Sequence, residues 1–460
     1  MVRDVVDVNG SGYRLSACLG RGAQGAVYGV EGGRLAVKIL NDRSPLRREH
    51  LRNHLARLRR LDLTDLPLAR PLEVLREPHL GYVMELMSGM TPLKELIRPE
   101  IGQASLVQWY FSGGGLRRRL RLLTTTADIL LRLHSRGLIY SDLSPSNVFI
   151  SSDISAEQVY LIDLDNLCYQ SAPSESNVYT PLYGAPEVIL GRSGPNTLTD
   201  AYAFAVIAFE TLVGAHPLLG DMIHDGEPEL EQQALEGRFP WIDSPADARN
   251  RSRFGLSRDM VLTKGLQSLF ERAFGEGLTA PLKRPGMAEW SERLHRAANG
   301  MLRCPGCTGT YDFRKTRCPW CDAPRPRFVT VAFRLWDPSR HEYVSRPAGD
   351  TDKRVIVDGA ALAAGETLII GERLALGLQR AFPEKQIVSA VFADDQVTLS
   401  ASDAAACVLT SPDQRYSQIL SRGSVPIKLA PKKPSWQVHF GDLGQIHRIA
   451  SFELRDEETL

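Results

Sequence analysis

The chain has 460 residues, of which 43% are hydrophobic and 24% are charged, and its formal net charge is +1. That length predicts two or three domains, and the balanced charge disfavours nucleic acid or an anionic membrane surface as a partner. The N-terminus lacks the features of a signal peptide, and the most apolar segment, residues 201–214, is shorter than a membrane span, so we expect a cytoplasmic protein.

A glycine-rich segment lies near the start of the chain. Residues 19–28 read LGRGAQGAVY, which gives the spacing G-x-G-x-x-G-x-V. Glycines let the main chain close over phosphate groups without Cβ clashes, and their N–H groups can meet phosphate oxygens. Strand-like residues flank the segment, and the helix that a dinucleotide site needs is missing, so a phosphate-binding hairpin is predicted. The residues concerned are Gly20, Gly22, Gly25 and Val27.

The next predicted strand, residues 35–40, reads LAVKIL and carries a single lysine, Lys38. A lone lysine in a strand is usually a surface residue. Because this one directly follows the glycine-rich segment, we expect it to contact phosphates.

Two motifs further along carry the chemistry. Residues 140–147 read YSDLSPSN, and residues 161–165 read LIDLD after a short apolar strand. Phosphoryl transfer needs one carboxylate to orient the attacking hydroxyl or accept its proton, here Asp142. It also needs ligands for the metal ions that neutralise the phosphate charge, here Asn147 and Asp163.

Further motifs follow in order: GYVMELM at 81–87, TPLYGAPE at 180–187, Asp200 before an apolar helix, and KRP at 283–285. Together the motifs resemble the eukaryotic-like (Hanks-type) bacterial Ser/Thr protein kinases over about the first 298 residues. The resemblance implies a bilobal α+β fold, ATP, Mg²⁺ or Mn²⁺, and a protein substrate with a Ser or Thr acceptor. The residues it implies are Asp142, Lys38, Asn147 and Asp163 for catalysis, Asn147 and Asp163 for Mg²⁺, and the glycine-rich segment, Lys38, Glu85 and Met87 for ATP.

The same resemblance implies contacts away from the nucleotide. Thr180 is expected to hydrogen-bond Asp142, Arg284 to pair with Glu187, and Asp200 to hold the main chain of the catalytic loop. The loop before Thr180 offers acceptors for phosphorylation, although a loop of this composition is also simply polar. These acceptors are Ser171, Ser174, Ser176 and Tyr179.

The chain departs from the family pattern in the H-R-D motif, at Ser144 and in the D-F-G motif. The H-R-D motif is Tyr140-Ser141-Asp142, so no arginine is present to bind a phosphorylated loop. Ser144 stands where the family has lysine, and D-F-G has become 163–165 DLD, without the glycine. The glutamate that should pair with Lys38 is Glu49 or is replaced by His54. These departures keep a second reading open, a pseudokinase or nucleotide-sensing scaffold that acts through its C-terminal domains.

Four of the seven cysteines form two C-x-x-C pairs, and the other three are scattered, which suggests a reducing compartment. Each pair presents two thiolates about one turn apart, and two pairs can close a tetrahedron around Zn²⁺. A C-x-x-C can also be a redox pair, but the tandem arrangement favours a structural zinc ribbon. The ligands would be Cys304, Cys307, Cys318 and Cys321.

Residues 322–327 are predicted as a linker, and short alternating runs separated by turn residues follow it. They predict an antiparallel β-sandwich, loosely similar to forkhead-associated domains but without a clean phosphopeptide motif at 370–373. The expected domains are 1–298 kinase, 299–326 zinc ribbon and linker, and 327–460 β-rich. This order loosely resembles bacterial stress-response kinases that accompany a PP2C-type phosphatase and a von Willebrand A-type protein, which implies such partners. The strand-like runs are 328–335, 354–357, 367–371, 386–391, 396–400, 426–429, 436–440 and 446–454.

Overall fold

The computed structural model describes residues 4–22, 24–99, 105–171, 179–344, 356–379, 381–402, 407–420, 423–431 and 435–456. These residues form two compact units. The first comprises Met1–Leu106, Leu122–Gly255 and Ser268–Ser291, and the second comprises Val107–Arg121, Leu256–Gln267 and Glu292–Leu460. Two segments from inside the range 1–298 are therefore grouped with the C-terminal part of the chain. The three-domain division at 298 and 326 stays a prediction.

The first unit begins with a six-stranded antiparallel sheet of order β1-β2-β3-β4-β6-β5. Its core is apolar because alternate residues of the strands point inward, and it includes Val37 and Val83 on adjacent strands. The elements up to residue 100 are β1 (Asp4–Val6), β2 (Gly12–Gly22), β3 (Gly25–Val30), β4 (Leu35–Leu40), α1 (Pro45–Arg59), β5 (Glu73–Val74), β6 (Gly81–Glu85) and β7 (Met90–Pro92).

Helices dominate the chain from residue 105 to 299. Residues 138–169 interrupt them with short strands and turns, and they carry the two acidic motifs. The elements are α2 (Leu106–Ser112), α3 (Gly115–Ser135), β8 (Leu138–Ile139), β9 (Val148–Ser151), β10 (Val159–Leu161), β11 (Cys168–Tyr169), α4 (Pro186–Ile189), α5 (Thr197–Val213), α6 (Asp221–His224), α7 (Glu229–Leu235), α8 (Arg258–Val261), α9 (Lys264–Phe274), α10 (Glu276–Thr279) and α11 (Met287–Asn299).

Helix α5 is the centre of the helical part of the first unit. Asn196 caps its N-terminus in a capping box with Thr199, and Gly214 ends it in the left-handed conformation (φ 78°). Every residue from 199 to 213 is buried, which explains why the segment is so apolar without being a membrane span. Phe209 of this helix packs edge-on against Phe270 at a centroid distance of 5.1 Å.

A buried ion pair ties two distant segments of the first unit. Arg284 donates two hydrogen bonds to Glu187, at 2.6 and 2.8 Å, as the sequence predicts. The arginine side chain is 1% exposed and also donates to the carbonyl oxygen of Gly277. Because both charges are desolvated, the pair is costly to break from one side.

The second unit contains the cysteine cluster and two β-sheets. Strands β12 and β13 form a hairpin, and the following strands make a larger sheet of order β15-β14-β24-β23-β20-β21, with β16 paired to β14, and a four-stranded sheet β17-β18-β19-β22. The elements are β12 (Met301–Arg303), β13 (Thr310–Asp312), β14 (Phe328–Asp337), β15 (Glu342–Tyr343), β16 (Ile356–Ala363), β17 (Thr367–Gly371), α12 (Glu372–Leu376), β18 (Gln386–Ala393), β19 (Gln396–Ala401), β20 (Cys407–Thr410), β21 (Ser417–Leu420), β22 (Ser424–Lys428), β23 (Gln437–Phe440) and β24 (His447–Arg455).

The two sheets share one apolar core, to which Phe333 and Phe452 of the larger sheet and Ile370 and Leu399 of the smaller one contribute. The C-terminal region is therefore β-rich, as the sequence predicts. Arg325, which the sequence places in a linker, is instead 1% exposed, and it donates to the carbonyl oxygen of Phe313 at 2.9 Å. Among the described residues, no helix combines the length and the apolar composition needed to cross a bilayer.

Replacing Arg284 by Met should destabilise the first unit. Glu187 would keep its charge in a buried site without its partner, which typically costs about 3–5 kcal/mol. Differential scanning calorimetry of the full chain would show this as a lower midpoint for the transition of that unit. The matched control is Arg253→Met, because Arg253 and Asp225 are each 59% exposed, and exposed pairs contribute about 0–1 kcal/mol. Equal shifts for the two variants would contradict the prediction.

Candidate active site

The loop that carries Asp142 is held by Asp200, which lies in the first turn of α5. The main-chain N–H groups of Tyr140 and Ser141 donate to its two carboxylate oxygens at 2.7 and 2.9 Å. His134 lies 3.0 Å from the same carboxylate through Nε2. Ser141 has a left-handed backbone (φ 74°), which is unfavourable for a residue with a Cβ. The two hydrogen bonds to Asp200 hold the loop in that conformation.

Asp142 lies between the loop and the segment 180–187. Thr180 donates its hydroxyl to Asp142 Oδ1 at 2.7 Å, the contact expected from the sequence. Asn147 Nδ2 donates to the main-chain carbonyl oxygen of Asp142 at 3.0 Å. Burial raises the pKa of Asp142, although the Thr180 hydrogen bond opposes the shift. The structure thus brings Asp142, Asn147 and Thr180 together at one point.

Lys38 of β4 points inward and is 6% exposed. Its Nζ contacts Asp163 and lies 2.5 Å from Asp165 Oδ2. Burial disfavours the charge of Lys38, but the two carboxylates outweigh it and raise the pKa of the lysine. Glu49, the partner suggested by the sequence, has an exposed side chain on α1. That assignment is corrected: the acidic partners of Lys38 are Asp163 and Asp165.

The site carries more negative than positive charge. Asp142, Asp163 and Asp165 supply three carboxylates, and Lys38 supplies one ammonium, which leaves two excess negative charges (three minus one). Burial and the neighbouring charge of Asp165 raise the pKa of Asp163. Among the described residues, Asp165 Oδ1 is buried without a hydrogen-bond partner. Carboxylate and amide oxygens in such an environment suit a hard divalent cation such as Mg²⁺, so the residues present fit the expected metal.

The glycine-rich segment forms the turn between β2 and β3, with Gly22 opposite Gly25 and Gly20 opposite Val27. Ala23, at its tip, lies outside the described residues. A Cβ on Gly25 would come within 2.2 Å of the carbonyl oxygen of Ile39, so strand packing alone requires glycine there. Gly20 and Gly22 face open space. Glu85 ends β6 with an exposed side chain, and Met87 follows it, half-buried.

The four cysteines of the second unit form one cluster. The Sγ atoms of Cys304 and Cys321 are 3.6 Å apart, those of Cys307 and Cys318 are 3.7 Å apart, and all four lie within 4.8 Å of one another. A tetrahedron with metal–sulfur bonds of about 2.3 Å has sulfur–sulfur edges of about 3.8 Å. Burial opposes the thiolate of Cys304, yet main-chain amides of Cys307 and Gly306 bring its pKa down to about 7. The cluster has the dimensions of a four-cysteine metal site.

Comparison with known proteins identifies the family of this chain. Residues 13–261 match the family described as protein kinase domain. The chain belongs to the protein kinase family. Its relatives include the serine/threonine-protein kinases Pkn1 and pkn2 of Myxococcus xanthus, which are 30% identical over 223 residues and 27% identical over 252 residues. The DNA damage-responsive serine/threonine-protein kinase RqkA of Deinococcus radiodurans is 27% identical over 226 residues.

These similarities concern the kinase domain. The aligned residues make up 46%, 52% and 45% of this kinase for Pkn1, pkn2 and RqkA respectively. They make up 30%, 28% and 31% of the three relatives, so the kinase spans less than a third of the length of the curated proteins it matches.

Asp165 is the site residue whose role the sequence did not reveal. In the sequence, position 165 shows as the loss of the glycine of D-F-G. Two features together carry the signal: an additional acid two residues after Asp163, and a helix α1 in which Glu49 is the single acidic residue. The additional carboxylate close to Asp163 can therefore be the partner that Lys38 lacks in α1.

Stability of this kinase should depend on the ionisation of Glu210 in α5. Tyr183 of the 180–187 segment donates to it at 2.7 Å, and burial raises its pKa from 4.5 to about 7. A raised pKa means that the fold favours the protonated form. The stabilisation is therefore present below about pH 4.5 and is lost as pH rises through about 7, at a total cost on the order of 3 kcal/mol.

Glu210→Gln should remove this pH dependence. We expect the variant to melt at a higher temperature than the parental protein at pH 8, with the difference shrinking towards pH 5. Thermal unfolding monitored by circular dichroism at several pH values measures it. Glu229→Gln is the control, because Glu229 is exposed on α7. A variant that parallels the parental curve from pH 5 to 8 would contradict the assignment.

Proposed function

We propose that this kinase transfers the γ-phosphate of ATP to a Ser or Thr hydroxyl of a protein substrate. The observation that carries the proposal is the grouping of Lys38, which is buried, with the half-buried Asp142, Asn147 and Asp163, together with the Thr180 hydrogen bond to Asp142. Each residue type in it has a defined role in phosphoryl transfer. Relatives named as serine/threonine-protein kinases support the choice of acceptor.

The proposed nucleotide site uses the residues already located. The turn containing Gly20 and Gly22 would cover the phosphates, and Lys38 would contact the α- and β-phosphates. The main chain at Glu85 and Met87 would receive the adenine. Asn147 and Asp163 would hold Mg²⁺ or Mn²⁺, which supplies charge neutralisation for the phosphate oxygens.

Asp142 is proposed to act on the acceptor hydroxyl. The substrate oxygen forms a bond to the γ-phosphorus while the bond from that phosphorus to the β–γ bridging oxygen breaks and releases ADP. The hydroxyl proton passes to Asp142. Burial raises the pKa of this carboxyl, which makes it a better proton acceptor than an exposed aspartate. Thr180, by donating to Oδ1, orients the carboxylate for that transfer.

We further propose that activity does not require phosphorylation of the loop before Thr180. In this kinase Ser141 stands where the family has the arginine that binds a phosphorylated loop. The loop residues Ser171 and Tyr179 remain proposed acceptors. Ser174 and Ser176, which the sequence also suggests, lie outside the described residues.

We propose that the second unit recruits a substrate or partner protein, or regulates the kinase domain. Its four-cysteine cluster would hold a structural Zn²⁺, since all four positions of a tetrahedron are filled by sulfur and none remains for a substrate. The β-rich region would bind a partner protein. A PP2C-type phosphatase and a von Willebrand A-type protein are proposed as partners, and this proposal rests only on the order of the domains along the chain.

The kinase proposal is tested by phosphate transfer from radiolabelled ATP with Mg²⁺ or Mn²⁺, to the protein itself and to a generic Ser/Thr substrate. Asp163→Asn should lose essentially all label, because a metal ligand is removed, while Asp225→Asn, an exposed carboxylate, should match the parental protein. No label from the parental protein, with ATP-dependent thermal stabilisation, would favour the nucleotide-sensing scaffold. No label and no nucleotide binding would overturn both.

The metal proposal is tested by elemental analysis of the purified full chain. We expect about one zinc per chain, and a chelator should lower the thermal midpoint of the second unit because metal binding contributes to its folding. Cys307→Ser should lose the metal, whereas Cys18→Ser, an exposed cysteine outside the cluster, should keep it. Full metal content in Cys307→Ser would contradict the site, and so would a reversible disulfide in place of metal.

A further inference from the structure

The carboxylate that lies deepest against Lys38 is that of Asp165. The side chain of Asp165 is 5% exposed and that of Asp163 is 27% exposed, while Lys38 itself is 7% exposed. Asp165 Oδ2 lies 2.5 Å from Lys38 Nζ. A short 3-10 turn, Leu164–Asn166, carries it, and the buried side chains of Leu164 and Leu167 hold that turn in the apolar interior.

Helix α1 offers no carboxylate in this place. Its single acidic residue, Glu49, is exposed. The α1 residue beside this turn is His54: burial lowers the pKa of its ring, and the nearby main chain of Asp165 opposes that shift. His54 is not an acid, so α1 supplies no carboxylate at the site to compensate the charge of Lys38.

The two carboxylates on Lys38 are not equivalent when a metal is considered. Asp163 is the more exposed of the two and stands at the aspartate position of D-F-G, so it is the one available to a divalent cation. A cation there would compete with Lys38 for Asp163. The deeper carboxylate of Asp165 would remain on the lysine and keep it in place.

We propose that Asp165 is the positioning residue that anchors Lys38 towards the ATP phosphates, a role that protein kinases otherwise give to a glutamate of the helix after this strand. The inference rests on the proposed function and deepens it. The anchor and the metal ligand then belong to one turn, residues 163–165. Assembly of the nucleotide site is governed by that turn and not by a movement of α1.

The test compares Asp165→Asn, Asp165→Gly and the double variant His54→Glu/Asp165→Gly with the parental protein, in the full chain. The double variant moves the carboxylate from the turn to α1, next to where it was removed. Glu49→Gln is the matched control. The readouts are kcat, KM for ATP, the Mg²⁺ concentration for half-maximal rate, binding of a fluorescent ATP analogue, and thermal unfolding without nucleotide.

We expect Asp165→Asn and Asp165→Gly to lose about 100-fold in kcat/KM for ATP, because a displaced lysine misplaces the phosphates. Glu49→Gln should keep the parental constants. The double variant should regain about tenfold over Asp165→Gly, since an opposite charge again faces Lys38. The Mg²⁺ requirement should stay unchanged throughout. Rescue by relocation separates an electrostatic anchor from a purely structural residue, which could not be restored from another element.

Three results would overturn the inference. The first is parental activity in Asp165→Gly. The second is a raised Mg²⁺ requirement with full activity at saturating metal, which would make Asp165 a metal ligand. The third is no gain in the double variant when it unfolds at the same temperature as Asp165→Gly. If the parental protein transfers no phosphate, the proposed function fails separately. Weaker analogue binding in Asp165→Asn than in Glu49→Gln would then still support the anchor.

Discussion

A single buried ammonium group, that of Lys38, faces more carboxylate than it can neutralise, and the organisation of the first unit depends on that imbalance. The lysine comes from the sheet and the two aspartates come from a turn more than a hundred residues later, so the pairing joins the two halves of the unit. Because desolvated charges without partners are costly, the excess negative charge opposes this arrangement, and a bound cation would relieve it. The proposed metal site would thus use the same contacts that join the two halves of the unit.

Three other acids of the first unit differ in how far their charge is compensated. Burial raises the pKa of both Asp142 and Glu210. Arg98 is 3.9 Å from Glu210, compared with 2.6 Å between Arg284 and Glu187, and among the described residues no lysine or arginine forms an ion pair with Asp142. Asp200, in contrast, accepts two hydrogen bonds from the main chain of the catalytic loop and also lies 3.0 Å from His134. Asp200, which organises the backbone, is satisfied by N–H groups, whereas the charges of Asp142 and Glu210 are only partly compensated.

Much of this could be read from the sequence, for identifiable reasons. Thr180, Arg284 and Asp200 make the contacts expected of their motifs, because a motif fixes both residue type and position. In the C-terminal region each of the eight strand-like runs overlaps a strand, but β15, β20 and β21 have no predicted counterpart. β21 reads SQIL, with one buried residue in four, so it has almost no apolar alternation to detect. Asp165 was missed because its partner lies far away in sequence, where no local pattern reports it.

The assignment of residues 107–121 to the second unit limits how this kinase can be shortened. Phe111 packs edge-on against Trp320 at 5.0 Å, and Arg117 pairs with Glu366 at 2.5 Å. Both Phe111 and Arg117 fall inside the range that matches the kinase family. A fragment ending at residue 298 would expose the aromatic ring and strip the guanidinium of its carboxylate. To obtain a soluble catalytic fragment, Phe111 and Arg117 would have to be replaced as well, because shortening the chain would leave both side chains without their partners.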